Sequence, residues 1–313
     1  MAVKHILILA GIYAVLALVP LGLNEYYIHV LNISCYYVIM AASWNLIAGY
    51  TGQFSLAHHA FAVMGGYTSA LLVIHFNIPI LLGIPVGGLL AAAVGFCLGT
   101  LCLKMRAIYL GLATWAFSET FRIILSMSYT LTRGDLGLST PTLLATGMAF
   151  NYYYVFLLLA FSCLFIIYKI IHSRIGYYMR SIRDDEEAAL SMGVDTVKWK
   201  RFVFATSSFF AGIAGGFYAH YIGLLSPVSV DFNEMAILII MVITGGLRTF
   251  AGPIIGAIFI EILSELLRVY GQIRMVLFAL MVIIIMRVNR DGIAGLCKNL
   301  WPRIQSIFHS NHC

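Results

Sequence analysis

Apolar residues fall in long blocks along this chain, and polar residues gather in the short segments between them. Ten such runs can be drawn, at roughly 6–23, 29–48, 59–76, 79–103, 107–127, 151–172, 202–222, 235–246, 252–268 and 274–288. Most approach the roughly 20 residues that an α-helix needs to cross a bilayer. The eighth and tenth are short for a full crossing. The pattern predicts an all-α polytopic membrane protein of about 8–10 transmembrane helices, some broken or re-entrant. One stretch stands apart. Residues 45–66 read NLIAGYTGQFSLAHHAFAVMGG, a polar, glycine-bearing sequence set between two apolar runs.

Composition strengthens this picture. Of 313 residues, 61% are apolar and 10% charged, against about 25% charged in soluble domains. The first run follows Lys4 and has the outline of a signal peptide. It lacks a small-x-small cleavage site before a polar domain, so it is read as a retained span. The net charge of +6 is not read as a nucleic-acid footprint, because Lys and Arg sit in short segments between spans. With the N-terminus inside and all ten runs crossing, 15 of the 19 basic residues lie on the cytoplasmic side. Arg122, Arg133, Arg268 and Arg274 are the others. The positive-inside rule therefore selects N-in, C-in. The six cysteines (35, 97, 102, 163, 297, 313) show no paired spacing, which argues against a disulfide framework or a zinc site. The tail HSNHC (309–313) reads as a polar terminus. No metal site is expected.

The longest polar segment, SRIGYYMRSIRDDEEAALSMGVDTVKWKR at 173–201, carries its own helix signals. Asp184 is placed to cap a helix, with Glu187 completing a capping-box-like pattern. Ala188, Ala189 and Leu190 favour helix. Gly193 suits a left-handed C′ position, and Asp195 offers a second N-cap. The prediction is a short helix, a turn, and a helix that re-enters the membrane. Either a solvated connector or a docking element would have this form. The letters Glu187, Ala188, Ala189 and Gly193 match the E-A-A-x-x-x-G coupling motif of ABC importer permeases, which favours docking. The dipeptide Gly-Lys does not occur in the chain. If ATP drives it, ATP and Mg are bound by another subunit and no cofactor resides on this one.

The whole chain resembles the LivM-type permeases of branched-chain amino acid ABC transporters. Five stretches carry the resemblance: GYTGQFSLAHHAF (49–61), TLTRGDLGL (130–138), residues 181–219 with the coupling motif, GGLRTFAGPIIGA (245–257) and RVNRDGIAGL (287–296). Ala57, His59, Arg133 and Asn289 depart from the family pattern. Ala57 and Arg133 stand where a glycine is usual. The resemblance implies a single permease domain over 1–313 with a coupling loop at about 173–201. It implies a second, homologous permease subunit, two cytoplasmic ATP-binding subunits and a periplasmic binding protein, in a bacterial inner membrane. Related urea and short-amide permeases share most of these motifs.

Glycine and polar residues at membrane depth are tolerated where backbone is buried in protein or lines a cavity. Broken helices of this kind form sites and moving parts in transporters. On this ground Tyr50, Thr51, Gly52, Gln53, Ser55 and His58 are candidates for a pathway or gate. Gly245, Gly246, Thr249, Gly252 and Pro253 of the second glycine block join them. Gly65, Gly66, Gly215, Gly216 and Gly256 read as helix-packing positions. His58 and His59 are adjacent and cannot form an i, i+4 metal pair. Glu119 with Arg122, and Glu265 with Arg268, are spaced to pair on one helix face. Glu261 lacks a local partner, and an intramembrane acid is a functional candidate by default. It keeps a rival alive, a proton-coupled secondary transporter. No cluster of His, Asp and Ser or Cys suggests catalysis, so an enzyme ranks third. The leading expectation is an importer permease subunit for a small apolar amino acid.

Overall fold

The computed structural model describes residues 18–102, 105, 107–144, 148–271, 273–288 and 292–295. Most of the run at 6–23, the basic residues Lys4, Lys104, Arg106, Arg290, Lys298 and Arg303, Asn289 and the 309–313 tail lie outside them. The described helices are α1 (Glu25–Asn45), α2 (His58–Phe76), α3 (Ile80–Cys102), α4 (Ala107–Met127), α5 (Ala149–Ile171), α6 (Arg174–Asp184), α7 (Glu186–Ser191), α8 (Thr196–Ile222), α9 (Phe232–Gly245), α10 (Ala251–Leu266) and α11 (Ile273–Val288). Short 3-10 segments and one further helical turn, Tyr129–Thr132, join them. The fold is all-α, and five of its helices are long and apolar enough to span a membrane: Glu25–Tyr50, His58–Phe76, Ile80–Leu101, Ala149–Ile171 and Thr196–Ile222. This is a multi-pass membrane protein. Helix α4 has the length but carries Glu119 and Arg122, and α9, α10 and α11 are shorter.

Helix α1 is the centre of the bundle. From Val38 to Asn45 every residue is buried, with no exposed face, as expected of a helix enclosed by others. It packs against α5, α8 and α10. Its end does not fray. It widens into a π turn at Leu46–Tyr50, and the chain then runs without helix to Ala57. The indole Nε1 of Trp44 donates to Ser55 O at 2.8 Å, and Ser43 Oγ shares a 2.8 Å hydrogen bond with His58 Nε2. These contacts bring the start of α2 level with residues 43–44, so α2 begins about one helical turn above Asn45–Tyr50. The predicted break is therefore a non-helical strap folded back along the end of α1.

Helices α2, α3 and α8 form a slab held by backbone contact. A Cβ on Gly65 would collide with the Gly212 backbone, one on Gly87 with Gly65, and one on Gly215 with Ala62. Gly256 sits in the same way against Met241. Close approach through small residues is how membrane helices gain packing when lipid offers no hydrophobic contrast. The outward faces of α3 and α4 present Leu81, Leu89, Leu101, Ile108, Leu112 and Ile124, apolar surface suited to lipid. Outside the helices, Leu138–Ser139 pairs antiparallel with Leu224–Leu225. Thr140 Oγ1 donates to Ala219 O at 2.6 Å and His220 lies between Ser69 Oγ (2.8 Å) and Pro141 O (2.6 Å). This staples the connector after α4 to the far end of α8.

Candidate coupling junction and membrane chamber

The polar loop at 173–201 folds as two helices rather than one. Ser173 caps α6, accepting from Ile175 N at 3.2 Å. Gly176, Met179 and Ile182 are buried, at the i, i+3 spacing that lays one face of a helix on its support. Helix α6 continues through Asp184, so the cap of α7 is Asp185, not Asp184. Its Oδ1 accepts from Ala188 N at 3.0 Å. Asp184 instead pairs with Arg183 at 2.7 Å. The two aspartates are equivalent as letters, and the length of the preceding helix decides between them. Asp195 caps α8, accepting from Lys198 N at 2.9 Å.

Gly193 closes α7 with φ +83°. Its N–H donates to Leu190 O (2.9 Å), and Val194 N donates to Ala189 O (3.0 Å). This double bond pattern satisfies two terminal carbonyls and stops the helix abruptly. Ala189 is buried, whereas Glu187, Ala188, Leu190 (52% exposed) and Met192 (85% exposed) face away from the protein. Lys200 Nζ holds Glu186 at 2.6 Å and Trp199 stacks on Tyr178. These contacts fix α7 to its neighbours while its outer face stays bare.

The glycine blocks meet this loop. Arg183 of α6 donates from Nη1 to Gly49 O at 3.2 Å, and its side chain lies against Gly52. Gly52 takes φ +69°, a conformation glycine adopts at little cost. The Arg180 guanidinium lies 5.9 Å from the ring centre of Tyr50. On the other side, Asn45 Nδ2 donates to Thr249 O at 2.9 Å, and Asn45 Oδ1 accepts from Arg248 N at 3.3 Å. One amide side chain thus ties the end of α1 to the turn between α9 and α10.

That turn is built by its own residues. Thr249 Oγ1 donates to Gly246 O and accepts from Gly252 N, both at 2.9 Å. A Cβ on Gly245 would meet Gly252, so the two helices touch through bare backbone, and Pro253 is buried just beyond. Gly292 packs on Gly246 and Thr244. Four of the five singled-out stretches converge here: 49–61, 181–219, 245–257 and the described part of 287–296. The fifth, at 130–138, lies away from the junction, leading into the strand pair with Leu224–Leu225, and Arg133 there takes the left-handed φ +57°.

Within the strap, Thr51 Oγ1 donates to Ile47 O at 2.6 Å and closes the π turn. Ser55 Oγ accepts from Ala57 N at 3.4 Å. Gln53 is buried with Oε1 unpartnered. His58 is bonded to Ser43, and its neighbour His59 instead lines a chamber of about 220 Å³. That chamber lies between α1, α2, α8 and α9, and Tyr36, Tyr37, His59, Tyr218, Ser229 and Glu234 contribute to its wall. Glu119 and Arg122 pair through Arg122 Nε at 3.0 and 3.1 Å. Glu265 pairs with Arg268 at 3.2 Å and also accepts from Tyr26. Glu261 makes no ion pair among the described residues. Asn45, Arg183, Tyr37 and Glu234 were not singled out from the sequence. Each makes its contact with a residue more than a hundred positions away, and no local pattern announces such a pairing.

Comparison with known proteins gives these arrangements a family. The family model described as "Branched-chain amino acid transport system / permease component" matches residues 26–286. The high-affinity branched-chain amino acid transport system permease protein LivM of Escherichia coli (strain K12) is 28% identical, over 95% of this chain and 76% of its own length. The probable LivM of Methanocaldococcus jannaschii is 24% identical over 75% of this chain and 79% of its own. The probable LivH of the same organism is 26% identical over 74% of this chain and 77% of its own. No solved structure matches this chain.

Proposed function

This chain belongs to the family of permease components of branched-chain amino acid transport systems, and on that premise we propose that it is one half of the membrane pathway of an ATP-driven importer. Its cargo is a branched-chain or similar apolar amino acid, delivered by a periplasmic binding protein. The complex comprises this chain, a second homologous permease, two cytoplasmic ATP-binding subunits that hold ATP and Mg, and the binding protein. It sits in a bacterial inner membrane with both ends of the permease inside. The chain itself performs no chemistry.

The observation that carries this reading is the bond from Arg183 to Gly49 O. It links the loop bearing the E-A-A-x-x-x-G letters to the one place where the central helix is broken. Asn45 passes the same link to the second glycine block. A displacement of α6 and α7 by an ATPase would act on both blocks at once. The bare face of α7, with Leu190 and Met192 exposed, is where that ATPase docks.

Deleting the gene in its host and measuring radiolabelled leucine, isoleucine and valine uptake tests the transport reading. Uptake falls with the deletion and returns with the wild-type gene in trans. Unchanged uptake of all three would remove the proposed cargo. Transport by this chain alone in proteoliposomes, driven by a proton gradient without ATP, would remove the importer.

A further inference from the structure

The chamber between α1, α2, α8 and α9 has a charge and a shape that the coupling junction does not use. Among its lining residues are one carboxylate, Glu234, and no Lys or Arg. Tyr37 OH donates to Glu234 Oε2 at 2.9 Å. A carboxylate offers about four lone-pair positions, so this bond leaves most of its capacity free. No cation pairs with Glu234 among the described residues. Glu261 on α10 stands within electrostatic reach of Glu234, and of Arg274 as well. Glu234 lies in the first turn of α9, where the helix terminus favours a carboxylate, yet an acid without an ion-pair partner in a membrane domain marks a place that can take a positive charge.

His59 is the second, independent sign. It is 3% exposed, it lines the chamber, and both of its ring nitrogens lack partners. A buried polar group with no partner costs about 1–3 kcal/mol. Both nitrogens are shielded as the ring stands, so the ring must turn to bond to something in the chamber, and doing so relieves that cost. The walls are also suited to a cation with an apolar body. Tyr36 and Tyr218 pack with ring centres 4.7 Å apart, and aromatic faces attract ammonium groups. Ala62, Val63 and Leu225 complete the lining with apolar surface.

We propose that this chamber is a transient cargo site that receives the primary ammonium group of a small amino acid, with Glu234 as counter-charge, His59 as hydrogen-bond partner and the tyrosines around it. The proposal rests on the permease reading above and adds to it the part of the cargo that this subunit senses. At about 220 Å³ the chamber lies below the ~300–1,000 Å³ of pockets built to hold drug-sized ligands. It suits brief passage of a small molecule.

The test uses the full-length chain, purified from membranes with the subunits that accompany it and without binding protein. Thermal unfolding is followed with leucine, with isoamylamine (leucine without its carboxylate) and with isocaproate (leucine without its ammonium). Leucine and isoamylamine raise the midpoint by about 2 °C or more at roughly ten times their Kd, and isocaproate does not. Glu234→Gln loses the shift, and Glu234→Asp keeps part of it. Stabilisation by isocaproate but not isoamylamine overturns the assignment, and so does an undiminished shift in Glu234→Gln. If Glu234→Gln no longer assembles, His59→Phe supplies the same comparison, and an undiminished shift there likewise counts against the site. The gene-deletion uptake assay keeps the two readings separate. Lost uptake in the deletion strain, together with no isoamylamine shift in the wild-type complex, removes the ammonium site and leaves the importer. Unchanged uptake removes both.

Discussion

Arg183 and Gly49 are 134 positions apart and joined by one hydrogen bond, from a guanidinium outside the bundle to a carbonyl in the last turn of its central helix. The carbonyl is free to accept because the helix stops one residue later, at the end of its π turn, and the last carbonyls of a helix have no partner within it. Such turns inside α-helices occur often at functional sites. The bond gives the loop a handle on the broken segment.

Arg183→Ala removes that handle and is expected to lower uptake about tenfold, a typical size for a coupling between two sites. Arg183→Lys gives little rescue, because an ammonium cannot keep the Asp184 pair and the Gly49 bond with one planar fork. ATP hydrolysis measured beside uptake distinguishes uncoupling from misassembly. Uncoupled complexes still hydrolyse ATP. Wild-type uptake in Arg183→Ala would mean that the bond carries no motion.

Gly193→Pro and Glu187→Lys act at the docking face. Proline has φ near −65° and cannot follow Gly193 at +83°, so the end of α7 loses its stop. Both variants insert in the membrane normally and lose co-purification with the ATPase. Gly193→Ala is milder. Nothing lies within 4 Å of its added methyl, and it is expected to cost about 1 kcal/mol from backbone strain alone. Wild-type uptake in both severe variants would end the docking role.

Thr51 and Gln53 separate backbone support from pathway. Thr51→Val removes the donor that closes the π turn and is expected to cost about 1 kcal/mol of stability. Gln53→Leu removes an oxygen that has no partner, so stability holds or rises. If Gln53 faces cargo, its loss slows uptake without altering the binding protein's affinity. Thermal unfolding of the two variants beside initial uptake rates checks the division.

Asn45→Ala leaves Arg248 N and Thr249 O without the amide that joins them to α1. Stranding such groups costs about 1–3 kcal/mol. Asn45→Asp keeps an acceptor for Arg248 N but loses the donor to Thr249 O, and falls between. The ordering wild type, Asp, Ala in unfolding midpoint is the expected result. Equal midpoints for all three would remove Asn45 as a brace.

The helices outside the polar loop were legible because each is an apolar run, whereas α6 was not, being short and polar. The predicted 107–127 run and α4 share both ends, and 59–76 differs from α2 by one residue. The caps around Gly193 and Asp195 were legible too, because capping is a local matter of one side chain and the next turn. Asp184 misled because two adjacent aspartates offer the same chemistry, and only the extent of α6 selects Asp185. The junction and the chamber were not legible. Asn45 reaches Thr249 across 204 positions, and Tyr37 reaches Glu234 across 197. Likewise, the choice of which histidine meets Ser43 and which meets the chamber follows from the folded strap, not from the letters HH.

The seam between α2, α3 and α8 is backbone laid on backbone at Gly65, Gly87, Gly212 and Gly215. A contact of that kind has no rotamers to exchange, so a small displacement is not absorbed by repacking. Stiffness follows. A push delivered at Thr196, where α8 leaves the polar loop, arrives at His220 with little taken up between. The two-stranded ladder of Leu138–Ser139 and Leu224–Leu225, stapled to that end through Thr140 and His220, would then tilt in step with events at the opposite end of α8, as the short arm of a lever follows the long one.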